Sequence, residues 1–122
     1  MRLLTALFIT FTAVQIGLAQ SQLEITGRAC EKYEKNDAEL NKVYQKVLQV
    51  YQTDAVFVEK MKNSQRAWIA FRDAHLDSIY PAEDSREYGS MFGMCYCQSQ
   101  TEITQKRIAE LKVWLDGVEE GG

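Results

Sequence analysis

Three cysteines and one histidine are the residues of this 122-residue chain best equipped for chemistry: Cys30, Cys95, Cys97 and His75. In an exported chain an odd set of three reads as one disulfide plus one spare thiol, because compartments beyond the inner membrane are oxidising. A bridge from Cys30 to Cys95 or Cys97 would close a loop of about 65 residues and contribute about 3 to 5 kcal/mol through the unfolded state. A zinc held by Cys30, Cys95, Cys97 and His75 is the competing use. Structural zinc sites usually space paired cysteines two to four residues apart, not one, and no metal is expected. No Cys-x-x-Cys-His occurs, which excludes haem attachment. A catalytic Cys-His pair needs a free thiolate beside an imidazole in a cleft, which a chain this small hardly provides, so no catalytic residue and no cofactor is expected.

What positions these groups is a pattern of three helices. Thr26-Gly27 precede a first segment reaching about Tyr51, in which Cys30, Tyr33, Asp37, Leu40, Tyr44, Val47 and Tyr51 recur at spacings of three and four. Thr53 or Asp54 can cap a second helix with the stripe Phe57, Met61, Gln65, Trp68, Arg72, His75 and Ile79, which ends before Pro81, the single proline. A third is clear from about Thr101, where Thr104, Ile108, Leu111, Leu115 and Val118 share a face flanked by Trp114. The spacing predicts an all-α antiparallel three-helix bundle with an inter-helix disulfide. A first turn near residues 53 to 55 and a second near residue 86 set Tyr44 level with Gln65, Asp37 with Arg72, Trp68 with Thr104 and His75 with Cys97. The cysteines and the histidine then gather at one end. Helical phase favours Cys97 as the partner of Cys30 and the level arithmetic slightly favours Cys95. Cys97 is taken, with Cys95 as the alternative.

The inner stripe is unusually polar. Asp37, Asn41, Tyr44, Gln65 and Arg72 fall on or beside facing sides of the first two helices, where an Asp37–Arg72 ion pair and a Gln65–Tyr44 hydrogen bond are expected. Such groups usually fix helix register; the functional reading is a groove that contacts a partner. The connection between the second and third helices adds charge and aromatics, with Glu83, Tyr88 and Phe92 as candidate partner contacts. Formal charge is -3. Lysines and arginines are scattered among the acids, so the basic stripe that nucleic-acid binding requires is missing.

Met1-Arg2, an apolar run from Leu3 to Val14 and then Gly17-Leu18-Ala19 have the form of a secretory signal, with cleavage expected after Ala19. That divides the chain into a signal at residues 1–19 and one helical domain at 20–122, periplasmic or secreted. The apolar run is short for a membrane span, and no membrane insertion is expected after processing. The sequence gives no reading of oligomeric state.

Taken in order, Asp37-Ala38-Glu39-Leu40-Asn41-Lys42-Val43-Tyr44, Gln65-Arg66-Ala67-Trp68-Ile69-Ala70-Phe71-Arg72-Asp73, Gly89-Ser90 and Thr104-Gln105-Lys106-Arg107 with Leu111 resemble the N-terminal domain of the lysozyme inhibitor LprI and its small exported relatives. The resemblance spans nearly the whole of residues 20–122. It implies an exported helical domain with a disulfide and, for some members, inhibition of lysozyme. Where relatives commonly carry cysteines this chain has Leu76 and Ser99. The function expected is therefore an exported binding protein directed at a lysozyme-type muramidase. The alternative is a structural or envelope-stress module with no enzyme target.

Overall fold

The computed structural model describes the backbone of residues 2–118 and the side chains of residues 15–118. Three helices account for almost all of it: α1 (Arg2–Val50), α2 (Ala55–Ile79) and α3 (Phe92–Lys112). Short 3-10 turns lie at Ser85–Tyr88 and Val113–Leu115. The all-α reading holds, and two boundaries move. Helix α1 runs straight through Gly27, because an interior glycine costs about 1 kcal/mol without removing any rung of the hydrogen-bond ladder. Helix α3 begins nine residues before Thr101. Both sides of its first turns are covered, by aromatics on one and the α1 seam on the other, so the stretch shows no amphipathic alternation.

Helix α2 starts where an oxygen cap was expected: Asp54 accepts a hydrogen bond from the Phe57 amide at 3.0 Å. It ends at Tyr80, directly before Pro81. In the connection, Asp84 accepts from the Arg86 amide at 3.0 Å, and Gly89, at φ 79°, takes the left-handed conformation that lets the chain turn into α3.

Two reversals make α1 and α3 parallel neighbours. Their seam is the closest packing in the molecule, and α2 stands farther off, attached through longer side chains. Side-chain size explains the difference. The seam is built from Leu40, Val43 and Val47 against Thr104, Ile108, Leu111 and Leu115, all buried, whereas α2 reaches it with Met61, Gln65 and Trp68. Val43 shares the buried face with Leu40 and Val47, although the stripe read from spacing passed over it. Val118, placed on the α3 face by periodicity, is 40% exposed, because the 3-10 turn and Gly117 redirect the chain after Leu115.

At one end of the seam Cys30 and Cys97 form the disulfide, with Cα atoms 4.9 Å apart and a sequence separation of 67. Cys95 is the free cysteine, half-buried. Two residues along a helix turn a side chain by about 200°, so Cys95 looks away from α1 when Cys97 faces it. Gly93 supports the close approach: a Cβ there would stand 3.0 Å from Thr26 Cγ2. At the other end Tyr51, Phe57 and Trp114 pack ring against ring at centroid distances of 4.3 to 6.1 Å, and the Tyr51 hydroxyl donates to the Trp114 carbonyl at 2.9 Å.

One seam residue is at odds with its surroundings. Thr104 is 0% exposed and its hydroxyl has no hydrogen-bond partner among the described residues. An unpaired buried hydroxyl costs about 1 to 3 kcal/mol, and valine has the same shape without it. Thr104→Val should therefore raise unfolding free energy by about 1 kcal/mol in urea titration. Replacing both Cys30 and Cys97 by serine should lower it by about 3 to 5 kcal/mol in the same experiment. A non-reducing peptide map should show Cys30 joined to Cys97 and Cys95 open to alkylation.

Candidate functional site

The end of the bundle that carries the disulfide also carries Cys95, Glu83, Tyr88 and Phe92, while Asn41, Tyr44 and Gln65 lie further along. His75 is near that end but faces outward. The stripe on α2 advances from Arg72 to the buried Leu76, not to His75, which is exposed and stacks on Phe71 at 5.4 Å. Ile79, the next residue of the expected stripe, is 43% exposed for the same reason. A step of three and a step of four fit a 3.6-residue repeat equally well, and the leucine takes the buried place. With His75 outside and Cys97 in the disulfide, the three-cysteine, one-histidine set does not converge. Among the described residues no group of three or more His, Cys, Asp or Glu side chains is placed to hold a metal ion.

Of the expected polar stripe Gln65 is buried and Asp37, Tyr44 and Arg72 are half-buried, and the partners differ from those expected. Gln65, 6% exposed, accepts a hydrogen bond from Arg107 Nε at 3.0 Å instead of meeting Tyr44. The Arg107 guanidinium also donates to Ser64 at 3.1 Å and to Glu110 at 3.0 Å, and lies 6.0 Å from the Trp68 ring centroid. Arg72 covers the same ring at 5.5 Å, and its ion pair is with Asp73 at 2.9 Å, not with Asp37. The indole is thus flanked by two guanidiniums, an arrangement that attracts cations to its π-face while their charges are spread among oxygens. Among the described residues neither the Asp37–Arg72 ion pair nor the Tyr44–Gln65 hydrogen bond forms. Asn41 is exposed.

Arg107 was missed as a site residue. The turn arithmetic that sets Trp68 level with Thr104 also sets Gln65 level with residue 107, and a buried amide facing an arginine was the available signal.

Asp37 and Arg72 still act together on one group. Tyr33 is pushed above the ordinary tyrosine range, first by burial, then by the negative charge of Asp37, with Arg72 opposing. Its phenol therefore stays neutral at physiological pH.

Tyr88 and Phe92 are half-buried in a cluster with Tyr80 and Tyr96, with ring centroids 5.3 to 5.6 Å apart. The Tyr88 hydroxyl accepts from the Ala82 amide at 2.6 Å. They close the disulfide end as a lid, while Glu83 beside them is exposed. The two places where cysteines were anticipated are filled by Leu76, 2% exposed, and by Ser99, whose hydroxyl is 3.1 Å from that of Tyr80. A hollow of about 590 Å³ lies at the opposite end, lined in part by Glu39, Lys42, Lys46, Lys112, Leu115 and Asp116.

If the Gln65–Arg107 contact sets the position of α2, Arg107→Met should lower unfolding free energy by about 1 to 3 kcal/mol, because it strands a buried amide oxygen. Asn41→Ala, at an exposed position, should change it by less than about 0.5 kcal/mol in the same urea titration.

Comparison with known proteins agrees with this architecture in one respect and is silent in another. A family described as lysozyme inhibitor LprI matches residues 17–111. An uncharacterized protein of Rhizobium meliloti (strain 1021) is 35% identical over 112 aligned residues, covering 83% of this chain and 78% of the relative. No solved structure matches the chain. The family is one of inhibitors, not of enzymes, which agrees with a site built from ion pairs and aromatic packing. By the extent of the family match, and with the helical architecture and disulfide that the resemblance implied, this chain belongs to the lysozyme inhibitor LprI family.

Proposed function

We propose that the protein is exported and inhibits a lysozyme-type muramidase by direct contact, using the disulfide end of the bundle. The observation that carries this reading is the family membership, which names lysozyme inhibition. The surface supports it. Asp73, Asp77, Glu83 and Glu87 lie within the last turns of α2 and the connection that follows, all exposed. The basic groups there are tied down: Arg86 is held by both carboxylate oxygens of Asp84 at 2.8 to 3.1 Å, and Arg72 by Asp73. Mutual hydrogen bonding keeps the Asp84 carboxyl below its usual range and Arg86 above its own, and the exposed Asp77, Glu83 and Glu87 have no ion-pair partner among the described residues. An acidic face of this kind speeds encounter with a basic enzyme. The disulfide and the Tyr80-Tyr88-Phe92 lid hold it in place, which reduces the ordering cost of binding.

Export rests on the signal-like segment at residues 1–19. In α1 every side chain from Gln15 to Ile25 is exposed, so removal of the chain up to Ala19 strips no core residue among those described. Among the described residues no helix is long and apolar enough to cross a membrane.

Isothermal titration against several lysozymes tests the proposal. Binding should appear with a dissociation constant below ~100 μM and weaken at least roughly tenfold for Glu83→Lys combined with Glu87→Lys, mostly through a slower, less salt-sensitive association. No heat at ~100 μM with any of the enzymes rejects lysozyme as the target and leaves the structural-module reading.

A further inference from the structure

The outward side of α2 is a long exposed face that no other described element covers. Ala67, Ala70 and Ala74 lie along its centre, and Phe71 stands beside them 57% exposed. The charges along the adjoining edge run Glu59 at the start of the helix, then Lys62 and Arg66 in the first half and Asp73 and Asp77 in the second. Lys62, Arg66 and Asp77 have no ion-pair partner among the described residues. Asp73 pairs with Arg72 and remains 61% exposed.

We propose that this face binds a second copy of the chain, with the two α2 helices antiparallel about a two-fold axis between Ile69 and Ala70. The charge order selects that occupant. A two-fold perpendicular to the helices places residue i opposite residue 139 − i of the partner copy and brings the same edge of each helix together. A single register then sets Lys62 against Asp77 and Arg66 against Asp73, each contact occurring twice. On the other edge the same operation brings the two exposed Phe71 rings toward each other. The alanines between allow the backbones to approach closely, as small residues do at helix crossings. A parallel pairing would put like charges level.

A crossing of two helices of 25 residues, each about 37 Å long, reaches only the low end of specific interfaces, so the dimer is weak. Sedimentation equilibrium of the full chain should show a monomer–dimer equilibrium with a dissociation constant on the order of 10 to 100 μM.

Charge exchange provides the decisive test. Lys62→Glu and Asp77→Lys should each weaken the dimer at least roughly tenfold, because each sets like charges against one another twice. The double variant should restore it. Residues 62 and 77 lie about 22 Å apart along the same helix, too far to meet within one molecule, so rescue reports contact between copies. All these side chains are exposed, and circular dichroism should show each variant folded. A wild-type chain that stays monomeric at ~500 μM overturns the proposal. So do single exchanges that leave association unchanged, or a double exchange that fails to rescue it. Loss of lysozyme binding in Ala70→Glu, with a monomeric wild type, would give the face to that partner and overturn it as well.

Discussion

The contact on which the rest of the structure depends is the parallel seam between α1 and α3. Parallel helices cannot be joined by a short loop, so the chain must travel out along α2 and return before the seam can close. Bringing residue 30 beside residue 97 therefore carries a large loop-closure entropy, and the disulfide removes most of it from the folding balance. Close approach then requires small or flat groups at the contact. Gly93 supplies this at the disulfide end, and Val43, Val47 and Thr104 supply it further along.

Helix α2 follows from that arrangement. Having carried the chain back, it settles against the finished pair through long side chains. Its inner face is correspondingly polar: Gln65, Arg72 and the shared Trp68 ring bridge a wider gap than valines could fill. Positions on its outer face and in the connection after it contribute little to the core, and they are free to carry charge. The acidic end and the charged edge of α2 both lie there. The core thus rests on the α1–α3 seam, and the surfaces proposed for binding lie on α2 and its connection.

Much of this was legible in the sequence. The three periodic segments, the Asp54 cap, the stop before Pro81 and the choice of Cys97 over Cys95 by helical phase follow from local rules. What local rules could not supply was the distance between helices. The Asp37–Arg72 and Tyr44–Gln65 pairings assumed that α1 and α2 pack as closely as any pair, but the disulfide and small residues give the closest contact to α1 and α3 instead. The start of α3 was hidden for a related reason: Phe92 and Tyr96 face the aromatic lid while Cys97 and Thr101 face the seam, and a segment covered on two sides shows no amphipathic period. His75 and Leu76 compete for one place on α2, and only packing decides between them.

The central claim is this division between a clamped α1–α3 seam and a presenting α2 with its connection. Amide hydrogen exchange, followed with and without a lysozyme, tests it most directly. The account predicts slowest exchange at Leu40 to Val47 and Thr104 to Leu111, faster exchange along α2, and added protection on binding confined to residues 73–92. Exchange along α2 as slow as in the seam, or protection gained only at the opposite end around Tyr51 and Trp114, would contradict it.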